Sequence, residues 1–571
     1  MGVPHFFKYL VESYPNIVFD VGKIDEIDHL CFDTNGLIHP CAAKVKKNNE
    51  NISKNILEQK IINEVIKYMR YLITKTNVQK SVYVSIDGPA PRAKMHQQRS
   101  RRFKSAAIAD VSKEAQNELQ IKTSGTEWDT NAITPGTEFM DKLVNTLNTE
   151  LKKFKKDFGI EIIFSDSNVP CEGEHKIINH IRKSKIDEDD SIAIYGLDAD
   201  LIFLSLVLNR KNMVLLREHM LMKGKGNSNN ILCKEYNEME YDYLSVDVLK
   251  KYFHHEVSEN TDTNYNVDNL VNDFIFLCFL IGNDFLPNIN CIEIGLGGLD
   301  KLLEIYYDLL KVEKEHLVLN KKINVHFLKS IFKKLSENEK HLFSHNFQQR
   351  KKKHYRMQYK PDPNLSKKEN QFKEILHDFE CVTKKQQDVI KLGIENYQYR
   401  FYNHYFHIDT TNTEEYNYHV NELCDDYLKS LFWNFEYYFI GVKDFEWFYP
   451  HPKTPLAFDI HNYMLRNSNL EYNFSKTNPP KPGTQLLMVL PPQSSNLLPK
   501  NYQNLMKSDK SPIVQYYPNM FCYDMINKKF LHECYAFLPV INYKYVLSVL
   551  SDIKLSKGEQ IRNSFHKDLI I

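Results

Sequence analysis

The chain has 571 residues, 42% hydrophobic and 12% aromatic, enough to bury a large core and too many for one compact domain, so two or more domains are expected. A formal net charge of +1, from 74 basic and 73 acidic side chains, excludes a globally polyanion-seeking surface; any nucleic-acid site has to be a local cluster of Lys and Arg. The 10 cysteines are scattered, with no CxxC pair and no Cys/His spacing suited to zinc, which points to a reducing, intracellular setting rather than a disulfide scaffold.

The opening Met1-Gly2-Val3-Pro4-His5-Phe6-Phe7 has too little apolar length for a signal peptide, and no later run approaches a membrane span. A soluble protein with a buried terminal segment is expected. Gly2 is not read as a myristoylation site, because Phe6 stands where Ser or Thr is needed. Residues 29–32 read as a strand that ends at Asp33. Ile61, Ile62, Val65, Ile66, Met69, Leu72 and Ile73 then recur at helical spacing, and the β-branched run 81–86 leads into Asp87.

Residues 92–104 form a basic run, with no acidic residue from 88 to 109. Wound as a helix after Pro91, at about 100° per residue, it places Lys94, Gln98, Arg101 and Arg102 on one face. That face suits a phosphate, with the arginines as forked donors and the lysine as a point charge. Arg92 and Arg99 point elsewhere, toward the backbone of a passing strand. Basic runs are more often solvated faces or localisation signals, but this one directly follows an acidic turn, which favours a pocket.

A further helix begins near Pro135-Gly136-Thr137, carries Phe139, Met140, Leu143, Leu147, Leu151 and Phe154 on one side, and returns to a strand over 160–164. Glu172 and Glu174 lie in a turn before the helical run 175–181. The strand 191–195 turns through Gly196-Leu197-Asp198 into a helical run from Asp200, and the apolar run 274–281 ends in Gly282-Asn283-Asp284. This alternation predicts a mostly parallel central sheet with helices on both faces, whose functional crevice lies at the carboxyl ends of the strands.

Seven carboxylates thus sit where a hydrophobic run breaks: Asp33, Asp87, Glu172, Glu174, Asp198, Asp200 and Asp284. Each alone reads as a cap or turn residue. Together in one pocket they would repel one another and take up protons unless divalent cations lay between them. Oxygen-only ligation suits Mg²⁺ or Mn²⁺, and two such ions suit phosphodiester cleavage. Asp166, also just past a strand, is left outside the site.

In the second half, residues 348–371 carry Arg350-Lys351-Lys352-Lys353, Pro361 and Pro363 and read as an exposed basic linker. Of the 22 prolines, 12 lie after residue 449, which predicts a looped, irregular C-terminal part bracing the first. The Asn-rich stretches 48–55 and 227–230 read as surface loops.

Met-Gly-Val-Pro at the start, Asp33-Thr34-Asn35-Gly36-Leu37-Ile38-His39 and Asp87-Gly88-Pro89-Ala90-Pro91-Arg92-Ala93-Lys94-Met95 closely resemble the 5′→3′ exoribonuclease (Xrn/Rat) family. So do 133–139, Glu172-Gly173-Glu174-His175-Lys176, Gly196-Leu197-Asp198-Ala199-Asp200 and Gly282-Asn283-Asp284-Phe285, in family order. Trp447-Phe448-Tyr449-Pro450 and Met488-Val489-Leu490-Pro491 resemble its second conserved region. The resemblance implies a PIN/flap-nuclease-like α/β fold: a catalytic domain over 1–345, a basic linker over 346–385, and a supporting second conserved region over 386–571. It implies a monomeric, processive, two-metal exoribonuclease that degrades single-stranded RNA bearing a 5′-monophosphate to mononucleotides. All seven carboxylates match its catalytic, metal-binding acids, and Lys94, Gln98, Arg101 and Arg102 match its 5′-phosphate pocket. His39 matches a residue that stacks on the first base, as sequence-tolerant grip requires. Its partner across the base is assigned to Trp447, with Phe445 at the family's other tryptophan position.

The alternatives are a 5′-flap DNA endonuclease, faintly suggested by Ile294-Gly295-Leu296-Gly297-Gly298-Leu299, and an inactive RNA-binding scaffold, which would be expected to have lost acids. The chain ends soon after the second conserved region, so the family's long C-terminal extensions are expected to be missing. Decapping machinery is a family-type partner that the residues do not specify. The cytoplasm is the default compartment, although Pro40 and Ser100 look more like the nuclear branch.

Overall fold

A computed structural model describes residues 6–14, 16–49, 52–121, 128–219, 235–261, 263–353, 359–383, 385–467 and 469–571. The asparagine-rich stretch 227–230 lies outside the described residues, as do residues 1–5 of the terminal segment. The described start, α1 (Phe6–Ser13), buries Phe6 and Leu10, with the Phe6 ring 4.6 Å from that of Phe203.

The first half alternates strand and helix. In chain order come β1 (Val18–Asp20), β2 (Ile27–Asp33), α2 (Asn35–Lys47), α3 (Lys54–Lys75), β3 (Val78–Ser85) and α4 (Arg92–Leu119). There follow α5 (Glu138–Phe158), β4 (Glu161–Ser165), α6 (Gly173–Lys183), β5 (Ile192–Tyr195), α7 (Asp200–Val207), β6 (Met213–Glu218) and β7 (Tyr241–Ser245). Local chemistry explains the boundaries. Thr137 caps α5 by accepting from Met140 N at 3.3 Å, and Gly159 closes it at φ 70°. The six apolar residues expected on one side of α5 are all buried.

The strands form one sheet in the order β1-β7-β6-β5-β2-β3-β4, with the short strand Leu569–Ile570 beyond β4. β6, β5, β2, β3 and β4 are parallel neighbours, while β1, β7 and the C-terminal strand pair antiparallel. The parallel centre matches the expected α/β sheet. The antiparallel edges lie outside the expected alternation: β1 and the C-terminal strand have only three and two residues, too few to carry a periodicity, and β7 has five. β3 and β4 lie to one side of β2, and β5 and β6 to the other. Chain direction across the sheet therefore reverses between β2 and β5, the switch point where open α/β sheets bind ligands.

The second half is largely helical: α8 (Val246–Thr261), α9 (Val267–Leu280), α10 (Gly298–Glu313), α11 (Val325–Lys353), α12 (Lys367–Glu380), α13 (Tyr397–Phe406), α14 (Thr413–Phe439), α15 (Ala457–Arg466) and α16 (Pro482–Val489). The irregular C-terminal part begins only after α15. Before it, α14 runs for 27 residues and buries thirteen of them, because the prolines that forbid helix lie later. Residues 346–385 are likewise not a bare linker. Arg350 to Lys353 end α11, and α12, started by a capping box at Ser366 and Glu369, packs along α4. One apolar cluster contains Phe203 of α7, Phe279 of α9, Leu335 of α11 and Tyr438 of α14, so the core runs without a seam between the halves. No helix among the described residues is long and apolar enough to cross a membrane.

Candidate active site

The carboxyl ends of β2, β3 and β5 open into a cavity of about 1640 Å³. Asp33, Asp87, Glu172, Glu174 and Asp198 line it at one end, and Gln98, Arg101 and Arg102 line it beside them. Asp200 is buried behind these acids. Asp284 reaches the cluster through Lys94, whose Nζ lies 2.6 Å from Glu172 Oε2 and 3.0 Å from Asp284 Oδ2. All seven predicted acids therefore belong to one connected cluster.

Close backbone approach holds the acids together. Gly173 N donates to Asp87 Oδ1 at 2.7 Å, and a Cβ at Gly173 would stand 2.9 Å from Asp33 Oδ1. Only glycine leaves room for two carboxylates there. Asn35 clasps Asp87 from α2, donating through Nδ2 to Oδ2 at 2.7 Å and accepting from Asp87 N at 3.3 Å. The loops after β3 and β4 are laced by Gly88 N to Cys171 O at 2.9 Å and Cys171 N to Pro89 O at 3.0 Å. Lys176 Nζ ties the same loops by donating to Ile86 O and Asp166 O, both at 2.7 Å. Glu172 occupies the N-cap position of α6 without a side-chain capping hydrogen bond, and Glu174 lies in the first turn, where the helix dipole favours negative charge. At Asp284 the chain turns sharply: Gly282 has φ 94°, and Asn283 Oδ1 accepts from Phe285 N and Leu286 N at 2.9 and 3.0 Å. Asp166 stays outside, held by His566 Nδ1 and Asn168 N, each at 2.7 Å.

The electrostatics are those of a crowded acidic pocket. Burial, then Asp87 and Asp198, raise the Asp33 carboxyl well above the usual range, and burial, then Asp200 and Glu172, do the same for Glu174. Burial, followed by Asp284 and Asp198, pushes Asp200 up to about 7. Burial raises Glu172 too, although Lys94 opposes it. At Asp284 burial is the largest influence, but the charge and hydrogen bond of Lys94, acting together with Arg101 and other positive charge, hold that carboxyl below its ordinary value. Lys94 loses hydration, yet Glu172 and Asp284 keep its ammonium well above the usual lysine range.

These residues fit a hard divalent cation. Asp200 is 1% exposed, and both its oxygens lack a hydrogen bond of normal geometry, with the Tyr438 hydroxyl a neighbouring polar group. Such buried charge calls for a cation. Glu172, Glu174 and His175 bring ligand-type atoms within 4.8 Å of one another.

The basic face follows the helical wheel. α4 places Lys94, Gln98, Arg101 and Arg102 toward the cavity. Arg92 Nη2 instead donates to Ile541 O at 2.6 Å, and Arg99 Nη1 to Pro539 O at 2.7 Å. Both leave the pocket as expected, but toward loop carbonyls rather than a strand. Buried Gln98 Oε1 and Arg102 Nη1 have no hydrogen-bond partner among the described residues. Burial, then Arg101, lowers the Arg102 guanidinium to about 9. His39 lines the cavity from α2, and burial with Arg101 pushes its imidazole down to about 4, leaving a neutral ring at pH 7.

Trp447 is not brought to the cavity. Its Nε1 donates to Ser430 Oγ at 3.0 Å, and Lys429 Nζ lies 4.1 Å from its ring centroid. Phe445 is buried, its carbonyl accepting from Arg92 N at 2.8 Å, and Phe448 takes the Arg92 guanidinium over its ring at 4.1 Å. Phe445 and Phe448 thus grip the start of α4, and neither Phe445 nor Trp447 lines the cavity beside His39.

Several site neighbours escaped the sequence reading. The Tyr437 hydroxyl donates to Glu172 Oε1, and Gln485 Oε1 accepts from Ala90 N at 2.8 Å. His175, 3% exposed, packs against Tyr437 with ring centroids 3.8 Å apart and the rings tilted by 47°, and its Nε2 has no hydrogen-bond partner among the described residues. Leu365, Phe372 and Lys373 wall the cavity from α12 and the segment before it. Asn35 and His175 sit inside quoted motifs and could have been found there. Tyr437, Gln485 and the α12 wall come from hundreds of residues away and left no local signal.

Fold and site together define an α/β protein with a carboxylate-filled crevice at its switch point and a cationic helix face alongside. Residues 1–219 match the model of the XRN 5′-3′ exonuclease N-terminus, and residues 264–380 and 356–571 match that of the Xrn1 helical domain. The chain is 31% identical to 5′-3′ exoribonuclease 1 of Homo sapiens, over 100% of this chain and 35% of that protein. It is 29% identical to 5′-3′ exoribonuclease 1 of Saccharomyces cerevisiae, over 100% and 44%, and 26% identical to 5′-3′ exoribonuclease 2 of that organism, over 99% and 76%. Among solved structures, the catalytic core of Rad2 in complex with DNA substrate aligns at a TM-score of 0.29 and 10% identity, over 68% of this chain and 84% of that one. The chain belongs to the XRN 5′-3′ exonuclease family. It spans less than half the length of the two exoribonuclease 1 relatives.

Proposed function

We propose that the chain is a 5′→3′ exoribonuclease that hydrolyses single-stranded RNA with a 5′-monophosphate, one nucleotide at a time. The observation that supports this most is one cavity lined by five carboxylates and a cationic helix face, with Asp200 and Asp284 joined to the same acidic cluster. Acids alone suit many nucleases. Cations a few residues along α4 add a place for a terminal phosphate and so a direction.

Asp33, Asp87, Glu172, Glu174, Asp198, Asp200 and Asp284 would hold divalent ions, Mg²⁺ or Mn²⁺, which when bound activate water and stabilise the departing 3′-oxygen. The chain's own groups do the rest. Asn35 and Gly173 fix Asp87 so that it meets the reacting phosphate in one orientation. Arg101 and Arg102 offer forked donors to the 5′-phosphate, and buried Arg102 Nη1 gains the partner it lacks. A 5′-hydroxyl leaves those cations unpaired, and a cap adds bulk where the phosphate should sit. Neutral His39 presents an aromatic face to the first base.

The test offers the chain, with Mg²⁺, a 5′-monophosphorylated RNA, the same RNA with a 5′-hydroxyl, and a 5′-flap DNA. Stepwise release of mononucleotides from the first alone supports the reading. Cleavage at the flap junction, or binding of RNA without cleavage, overturns it in favour of a flap endonuclease or an inactive scaffold.

A further inference from the structure

We propose that Lys94 couples the two ends of the cavity: it is the built-in counter-cation of the metal-free acids, and divalent ions displace its ammonium toward the 5′-phosphate side of α4. The inference rests on the metal-dependent reading above.

Lys94 lies on the same α4 face as Gln98, Arg101 and Arg102, four, seven and eight residues along. Its ammonium nonetheless turns away from them, to 2.6 Å from Glu172 Oε2 and 3.0 Å from Asp284 Oδ2. Those are the separations of a buried, charge-assisted pair. Glu172 and Asp284 come from the start of α6 and the turn after α9, so one ammonium bridges two of the segments that build the acidic end. Meanwhile the phosphate side is incomplete: Gln98 Oε1 and Arg102 Nη1 are buried without partners.

A divalent ion held by Glu172 or Asp284 would face this ammonium at contact distance, and two cations so placed repel. The lysine stem has four rotatable bonds, so the ammonium can leave without backbone movement. Glu174 and Asp200 also act on this ammonium, but the same ions would take them up, which leaves a phosphate on Arg101 and Arg102 as its anionic alternative. An ion on the acids therefore frees Lys94 for the phosphate, and a phosphate draws Lys94 off the acids. By linkage, each ligand tightens the other by the same factor.

The readout is Mn²⁺ affinity, followed by electron paramagnetic resonance on the full chain, alone, with adenosine 5′-monophosphate, and with adenosine. For the wild type, the monophosphate should tighten Mn²⁺ about tenfold, within the usual range of such couplings, and adenosine should do nothing. Lys94→Met should bind Mn²⁺ more tightly than wild type without nucleotide and lose the response to the monophosphate. Lys94→Gln repeats the test should the methionine variant fail to fold, and Lys94→Arg, which keeps a cation, should keep the coupling. An undiminished response in Lys94→Met, meaning that phosphate and ion meet directly, overturns the proposal, and so does unchanged nucleotide-free affinity. Absence of any Mn²⁺ binding by wild type would sink the metal-dependent reading as well, whereas RNA degradation without coupling sinks this inference alone.

Discussion

The acidic and basic ends of the cavity are built in opposite ways. The acids come from five segments: the end of β2, the loop after β3, the start of α6, the β5–α7 turn and the turn after α9. The cations come from one face of one helix, Lys94 to Arg102. An end assembled from five segments depends on every crossover being placed, and it stores mutual repulsion. An end carried by one helix depends on periodicity and on whatever grips that helix.

The largest test of this contrast is at the acidic end. Asp198→Ala should lower the cleavage rate by about a thousandfold or more while 5′-phosphorylated RNA still binds, because one missing metal-site carboxylate impairs the transition state more than the grip. Single-turnover kinetics alongside a binding titration check this, and near-normal rates would show that the acids do not act as a unit.

At the basic end the effect should be smaller and confined to end selection. Arg101→Ala should cut the preference for 5′-monophosphate over 5′-hydroxyl RNA by about ten- to a hundredfold, the value of one hydrogen bond to a charged group, about 1.5–3 kcal/mol. An unchanged ratio with a reduced overall rate would place Arg101 in general RNA binding instead.

Proton and ion should compete at the acids. The Asp200 carboxyl moves from 3.8 to about 7 on folding, so the folded chain holds that proton more tightly than the unfolded one. Its contribution to stability is complete below 3.8 and is lost as pH rises through about 7. Asp284 is shifted the other way, so its contribution is present above 3.8 and constant through neutrality. Calorimetry of metal-free protein should therefore show a lower Tm at pH 8 than at pH 5, with Mg²⁺ restoring it chiefly at the higher pH. A Tm that rises over this window without metal would contradict the crowded-acid picture.

The smallest effect should come from the second half's hold on the site. Tyr437→Phe removes the hydroxyl that donates to Glu172 and should cost about 1 kcal/mol of stability, with only a few-fold loss of rate. A loss as large as that of Asp198→Ala would make Tyr437 part of the reacting apparatus.

The two ends also differ in how far they could be read in advance. The α4 face followed from about 100° per residue, and the structure puts Lys94, Gln98, Arg101 and Arg102 on one side as expected. The acids could be picked out because each sits where an apolar run breaks into a turn. Trp447 lies off the cavity because a motif fixes identity but not the way a loop turns: Phe445 and Phe448 are taken up with Arg92 at the start of α4, and Trp447 with Ser430 and Lys429. The 346–385 stretch was misread because charge and two prolines outweighed the apolar positions Phe372, Ile375, Leu376 and Phe379 of α12, which recur at helical spacing.

By itself the sequence determined the alternation of strand and helix, the seven acids at strand and helix ends, and the cationic face of α4. These are local properties, fixed by periodicity, capping and turn chemistry within a few residues. Tertiary structure alone decided that the sheet reverses between β2 and β5, that Tyr437 and Gln485 reach back from the second half, and that Trp447 turns away. It also decided that Lys94, legible as a phosphate ligand, rests between Glu172 and Asp284. A buried cation goes to the strongest negative field within reach of its stem, and that field exists only once distant carboxylates have been brought together.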